Sequence, residues 1–225
     1  MRCPFLFITG TDTGVGKTVL TSLLARRLRE RGVSVAALKP ICSGGRGDAR
    51  MLHSSLDGAL TLDEINPWHF SAPLVPLLAA RRERRRVELA NVLAHVRKIQ
   101  RRFDVVLVEG AGGLLSSLGE DFDARDLIVS LRAVPIIVSS NRLGVVNHVL
   151  LTVEALPRVI SRCAPVVLMS PRRPDLAGRT NPRFLAGVLG PDRVLEFPWL
   201  SVAGTSTRAL GNIRVRRVLD ALLAS

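Results

Sequence analysis

Phe5-Leu6-Phe7-Ile8-Thr9-Gly10-Thr11-Asp12-Thr13-Gly14-Val15-Gly16-Lys17-Thr18 decides the fold. An apolar run of strand length breaks into a glycine-rich turn, and the turn ends in Gly-Lys-Thr at the start of an amphipathic stretch. Such a turn lets consecutive backbone N–H groups wrap a phosphate chain, and the helix N-terminus behind it adds positive potential. Lys17 is then placed to reach β- and γ-phosphates and Thr18 to ligate Mg²⁺. The interval from Gly10 to Gly16 is one residue longer than in the common P-loop. Gly14, Val15, Gly16, Lys17, Thr18 and Val19 are the expected nucleotide contacts in this loop.

Outward from the loop, short apolar runs alternate with longer amphipathic ones. Strands are expected at Phe5–Thr9, Val33–Lys39, Val105–Glu109, Pro135–Ser139, Pro165–Met169 and Val194–Phe197. Helices are expected at Lys17–Arg31, which puts Leu20, Leu23, Leu24 and Leu28 on one face, and at Val87–Arg102, Ala124–Arg132 and Val146–Ile160. The βα alternation predicts an α/β fold of P-loop type, with a mostly parallel central sheet covered by helices on both faces. One domain spanning 1–225 suits the length. Pro67 to Pro76 reads as an ordered loop or lid. Ligands in such folds bind beyond the carboxyl ends of the strands, so those loops are where chemistry is expected.

Two such loops carry the right residues. Val105-Val106-Leu107-Val108-Glu109-Gly110-Ala111-Gly112-Gly113 is an apolar strand ending in an acid and then glycines. Glu109 fits a Mg²⁺-holding carboxylate, and the glycines let backbone approach a γ-phosphate. Lys39-Pro40-Ile41-Cys42-Ser43-Gly44 ends the second strand. A second lysine aimed at the same crevice neutralises anionic oxygens during phosphoryl transfer. Asp48, after a glycine-rich turn, is a candidate third Mg²⁺ ligand or an ordinary helix N-cap. Cys42 reads as a small buried residue, because phosphoryl transfer needs no protein nucleophile.

Composition sets the outer limits. The 225 residues are 47% apolar with a net charge of +13, and all but three of the 32 basic residues are arginine. With no Tyr and 4% aromatics, a base-stacking platform is poorly supplied, so the charge is read as an Arg-biased solvated surface and not as a nucleic-acid site. The three lysines are Lys17, Lys39 and Lys98, and two of them stand in the motifs above. No apolar stretch approaches the ~18 residues of a membrane span. The N-terminus does not read as a signal peptide, and three isolated cysteines suit a reducing cytoplasm.

Together these segments resemble the dethiobiotin synthetases. The resemblance extends to Asn66-Pro67-Trp68 with Phe70, Leu143-Gly144-Val145-Val146-Asn147-His148 and Phe197-Pro198-Trp199-Leu200, in the family's order over about residues 4–200. It implies a cytoplasmic cyclo-ligase of biotin biosynthesis acting on 7,8-diaminononanoate (diaminopelargonate), CO₂ and MgATP. A carbamate forms on one amine, the γ-phosphoryl group is transferred to it, and the second amine closes the ring. Carried over, Lys39, Lys17, Thr13 and Ser43 would be catalytic. Thr18, Asp48 and Glu109 would hold Mg²⁺. Gly110, Ala111, Gly112, Ser170, Pro198, Trp199 and Leu200 would complete the nucleotide contacts. Ser43 and Gly144, Val145, Val146 and Asn147 would bind the diamine substrate, the last four from a neighbouring subunit, which implies a homodimer with its site at the interface.

Three departures accompany the resemblance. Gly14 stands where some members carry Glu, and Leu77 where the family often has His. Ser170-Pro171 replaces the amide that commonly reads adenine; a hydroxyl alone lacks the paired donor and acceptor, which predicts weak base discrimination, with CTP or GTP replacing ATP. The cobyrinate synthetases have similar P-loops but an added glutaminase domain for which this length leaves no room. The alternative of another class is a partitioning-type P-loop ATPase switching on DNA or membrane. The +13 charge favours it, and Asp12 in place of a second loop lysine opposes it.

Overall fold

The computed structural model describes residues 5–201 and 207–224. Its centre is a six-stranded sheet in the order β2-β5-β1-β6-β7-β8. The strands are β1 (Phe5–Gly10), β2 (Val35–Leu38), β5 (Val105–Glu109), β6 (Val134–Ser140), β7 (Val166–Met169) and β8 (Val194–Phe197), and every neighbouring pair is parallel. All six coincide with the expected strands to within two residues at either end. In all but the edge strand β8 their runs of Val, Ile and Leu are largely buried on both faces, as a sheet sandwiched between helices requires. The chain leaves β1 toward β2 on one side and returns through β6 on the other. The loop after β1 therefore lies at the point where strand order reverses, which opens a crevice at the carboxyl edge.

Helix α1 (Lys17–Glu30) follows that loop directly. Leu20, Leu23, Leu24 and Leu28 are buried against the sheet, and Arg27 and Arg29 sit in the last turn, where the helix dipole favours cations. Helices α2 (Gly47–Ser55), α3 (Leu62–Ile65) and α4 (Pro76–Arg82) precede α5 (Leu89–Gln100) and α6 (Ala124–Leu131). The last of these starts with a reciprocal capping box between Asp123 and Asp126.

The helix expected over Val146–Ile160 is two helices. α7 (Val145–Ala155) ends at Leu156, which is extended at φ −81°, ψ 146°, and α8 (Arg158–Ser161) begins after Pro157. The proline ring excludes the helical region for the residue before it, so the break is local sterics. Helix α9 (Leu176–Leu189) accommodates Pro182 in its interior and starts at Asp175, whose carboxylate accepts from Gly178 N–H. Helix α10 (Ile213–Ala224) packs Val215, Val218, Leu219 and Leu222 inward. Asp220 on it takes Arg27 at 2.7 and 3.0 Å and Arg31 at 2.7 Å. The C-terminal stretch thus braces the back of α1.

A second sheet does not show in the sequence periodicity. β3 (Ile41–Ser43) pairs in parallel with β4 (Trp68–Phe70), and β4 lies within the segment expected as a loop from Pro67 to Pro76. Strands of three residues are too short to print a period-two pattern. Their pairing fixes Ser43 beside the main sheet's carboxyl edge. Among the described residues no helix is long and apolar enough to cross a membrane.

Candidate active site

The loop between β1 and α1 is shaped by what its glycines lack. Gly14 (φ 72°) and Gly16 (φ 101°) take left-handed backbone, and Gly16 caps α1. A Cβ on Gly10 would lie 3.0 Å from Lys17 Nζ and 2.9 Å from Val15 Cγ2, so only glycine lets the lysine fold back over the loop. There the ammonium donates to Asp12 O at 2.7 Å and to Gly112 O at 2.8 Å. Lys17 is buried, and burial, reinforced by the Lys39 charge, brings it down to about 8.

Lys39 directly follows β2 and Glu109 ends the adjacent parallel β5, and the two meet beneath the loop. Lys39 Nζ donates to Glu109 Oε1 at 2.7 Å and to Gly110 O at 3.3 Å, and pairs with Asp48 Oδ2 at 2.8 Å. Burial works against this ammonium, but Glu109 and Asp48 outweigh it and hold Lys39 above the ordinary lysine range. Lys39 is therefore a fixed positive charge, not a base. Asp48 is the second residue of α2 and caps nothing; against burial, Lys39 and Thr18 hold its carboxyl below the usual range. The N-cap alternative for Asp48 is set aside by this position.

Thr18 Oγ1 donates to Glu109 Oε1 at 2.7 Å, while Glu109 Oε2 is buried with no hydrogen-bond partner. One hydroxyl, a half-exposed carboxylate and a buried carboxylate with an unmatched oxygen form a hard-oxygen donor set of the kind Mg²⁺ takes beside nucleotide phosphates. The donors present fit that ion.

Most of the expected residues come together around two adjoining cavities. One, of about 880 Å³, is lined by Thr13, Lys17, Thr18, Lys39, Ser43, Asp48, Glu109, Ala111 and Gly112. Its outer wall is apolar, from Met51, Pro73, Leu74, Val75 and Leu78. The other, of about 580 Å³, is lined by Val15, Met169, Ser170, Pro198, Trp199 and Leu200. Gly14, Gly16 and Val19 face both, so the loop is the saddle between them. Gly110 contributes its carbonyl to Lys39 instead of a cavity wall. Leu77 is half-buried on α4 and lines neither cavity.

Gly144, Val145, Val146 and Asn147 line neither cavity. They form the N-terminal turn of α7, where Gly144 (φ 90°) caps the helix and Asn147 and His148 are exposed. Ser43 Oγ donates to Leu74 O, tying β3 to the apolar wall. Cys42 is buried, and burial pushes its thiol up, which agrees with a packing role.

Several residues went unassigned in the sequence. Asn66 is fully buried, donates to Lys39 O at 2.7 Å and accepts from Cys42 Sγ and Arg46 Nε, so it fixes the backbone that presents Lys39 and Ser43. Asn141, directly after β6, donates to Gly178 O at 2.7 Å and accepts from Asn181 at 3.1 Å, which joins α9 to the smaller cavity's wall. Glu196 on β8 accepts from Ser170 Oγ at 3.0 Å. The Asn66-Pro67-Trp68 segment was a visible signal for the first; the other two are tertiary pairings with no local signature.

Residues 5–207 match the family described as AAA domain. The chain is 42% identical over 190 residues to the ATP-dependent dethiobiotin synthetase BioD of Anaeromyxobacter sp. (strain Fw109-5), covering 82% of this chain and 85% of that protein. The protein of the same name from Rhodococcus erythropolis is 43% identical over 190 residues, with 81% and 83% covered. That from Anaeromyxobacter dehalogenans (strain 2CP-C) is 37% identical over 218 residues, with 95% and 98% covered.

Proposed function

Because the chain belongs to the ATP-dependent dethiobiotin synthetases, ligases of biotin biosynthesis, we propose that it closes the ureido ring of dethiobiotin on diaminopelargonate with its Lys17–Lys39 cavity. The observation that carries this reading is the Lys39 ammonium held between Glu109 at 2.7 Å and Asp48 at 2.8 Å, directly below the Lys17 loop. Two positive charges converge there in a largely buried site, where preorganised charge acts most strongly.

The substrate amine and CO₂ combine to a carbamate with loss of a proton. A carbamate oxygen then attacks the γ-phosphorus of ATP, breaking its bond to ADP. The second amine attacks the carbamoyl carbon, loses its proton and expels phosphate, which closes the ring. Lys39 draws the carbamate and phosphoryl oxygens together and cannot take a proton, since Glu109 and Asp48 hold it charged. Lys17 leaves the carbonyls of Asp12 and Gly112 for the transferring phosphoryl group. Thr13 donates to the same oxygens from the cavity rim, and Ser43 does so once its hydroxyl leaves Leu74 O. Mg²⁺, held by Thr18, Asp48 and Glu109, would neutralise the β- and γ-phosphate oxygens. Met51, Leu74 and Leu78 offer the hydrocarbon chain of the diamine an apolar wall.

The substrate carboxylate falls to Gly144, Val145, Val146 and Asn147 of a second copy in a homodimer. Their backbone N–H groups open the 11-residue α7, a favourable site for an anion. Exposed Leu143 and Leu151 flank that turn and would be covered by such a partner. The reaction belongs in the cytoplasm, a compartment that keeps Cys42 and Cys163 free. The test is phosphate release with MgATP and bicarbonate, with and without diaminopelargonate, and the mass of the product. Diamine-dependent release with one added carbonyl in the product is expected. ATP hydrolysis indifferent to the diamine would overturn the substrate and leave the nucleotide switch as the reading.

A further inference from the structure

The carboxylates that fit a divalent ion already hold a cation, and the chain itself supplies it. Lys39 Nζ bridges Glu109 Oε1 at 2.7 Å and Asp48 Oδ2 at 2.8 Å. Thr18 Oγ1 donates to that same Glu109 oxygen at 2.7 Å. The Lys39 and Glu109 side chains are both buried, so little water screens one charge from another there. Mg²⁺ draws its oxygens to about 2.0–2.1 Å, which leaves no room for an ammonium on the same pair of oxygens.

We infer that Lys39 is a tethered competitor for the divalent ion: it gives up Asp48 and Glu109 when the ion takes them, and its freed charge turns to the reacting oxygens. The inference rests on Thr18, Asp48 and Glu109 being the ion's donors, and the second half of the move rests also on the proposed reaction. A flexible four-carbon stem allows the move, and Thr13, Lys17 and Ser43 line the cavity into which it leads. The ammonium exchanges one set of anionic oxygens for another, so its charge is never stranded in the buried site. Metal loading and lysine delivery are thereby one event: the charge needed at the phosphoryl group is held back until the carboxylates are otherwise neutralised. The competing arrangement leaves Lys39 in place and seats the ion on Glu109 Oε2, which is buried with no hydrogen-bond partner. Thr18 argues against it, because its hydroxyl reaches Oε1, the oxygen that Lys39 holds.

The test measures Mn²⁺ binding by electron paramagnetic resonance, without nucleotide or diamine. Lys39→Met should bind Mn²⁺ at least about tenfold more tightly than the wild type, since the competitor is gone. Lys39→Gln, which keeps a donor without the charge, should do the same. Removing any nearby positive charge helps a cation somewhat, and Lys17→Met is the control. Lys17 feels Glu109 and Asp48 but hydrogen-bonds to Asp12 O and Gly112 O, so its loss should tighten binding by less than about threefold. Mn²⁺ should also raise the unfolding midpoint of Lys39→Met more than that of the wild type, because it replaces the charge that Glu109 lost. A Lys39 variant that is unfolded alone is expected to fold with Mn²⁺. Equal or weaker Mn²⁺ binding in the Lys39 variants, a gain no larger than that of Lys17→Met, or an unfolded variant that Mn²⁺ does not fold would each overturn the inference. Undiminished Mn²⁺ affinity in Asp48→Asn would sink the donor assignment and the inference with it. The proposed ring closure stands apart from all of these results, since its own test is the diamine-dependent product.

Discussion

Replacing Lys39 by Met keeps the aliphatic stem and removes the charge from a site that has little water to replace it. Lys39 and Glu109 have side-chain exposures of 5% and 0%, so Glu109 loses its buried counter-ion and keeps only the Thr18 hydroxyl. Asp48, at 52% exposure, is well enough solvated that losing it as a partner costs at most about 1 kcal/mol. Breaking a buried pair from one side costs about 3–5 kcal/mol, since an uncompensated charge remains. At this chain length that corresponds to a midpoint roughly 6–20 °C lower. Lys39→Met/Glu109→Gln should recover most of the loss, because neither a charge nor its partner is then stranded. Thermal and urea unfolding without nucleotide and with a chelator would measure both variants. Activity should stay at least about 10²-fold below wild type in either, which separates the stability of the pair from its part in phosphoryl transfer. A single-variant cost below about 1 kcal/mol, or a double variant no more stable than the single one, would refute the argument that Glu109 relies on Lys39.

Lys17 should make nucleotide binding pH-dependent: its ammonium is lost as pH rises through about 8, so MgADP affinity should fall between pH 8 and 9.5, and a flat calorimetric profile would remove its charge from binding. The sign for stability is opposite. Between about 8 and the ordinary 10.5 the unfolded chain holds the proton more than the folded one does, so the Lys17 contribution rises with pH across that window. Asn66→Ala strands Lys39 O and takes one partner each from Cys42 and Arg46, and should cost about 1–3 kcal/mol of stability together with a lower kcat, checked by unfolding and steady-state rates. Gly10→Ala forces a Cβ to 3.0 Å from Lys17 Nζ and should weaken MgATP binding while leaving the far-UV spectrum unchanged.

What the sequence made legible is what is local. Each strand of the main sheet is a run of apolar residues, and the Gly16-Lys17-Thr18 turn and Glu109 stand at strand ends, where chain order alone puts them on the ligand edge. The residues that stayed unread owe their roles to pairing across the fold. Asn66 is fixed by Lys39 O and Cys42, 27 and 24 residues away, and Asn141 by Gly178 and Asn181, 37 and 40 residues away. None of these relations has a period.

The arginine bias shows the same division: most arginines lie exposed on the surface, and some also tie neighbouring segments together. Arg26, Arg29, Arg46, Arg97, Arg125 and Arg193 each donate to backbone carbonyls of another segment, with Arg193 reaching Ser161 O, Ala164 O and Leu189 O. Carbonyls left over at helix ends need donors spread in a plane, and a guanidinium supplies five in a fork. At Lys39 the requirement is the reverse. Glu109 Oε1, Asp48 Oδ2 and Gly110 O converge on a single nitrogen within 2.7, 2.8 and 3.3 Å, a geometry for a compact ammonium and too narrow for a planar fork. A chain that uses arginine almost everywhere keeps lysine where three acceptors close on one point, and that constraint is steric before it is chemical.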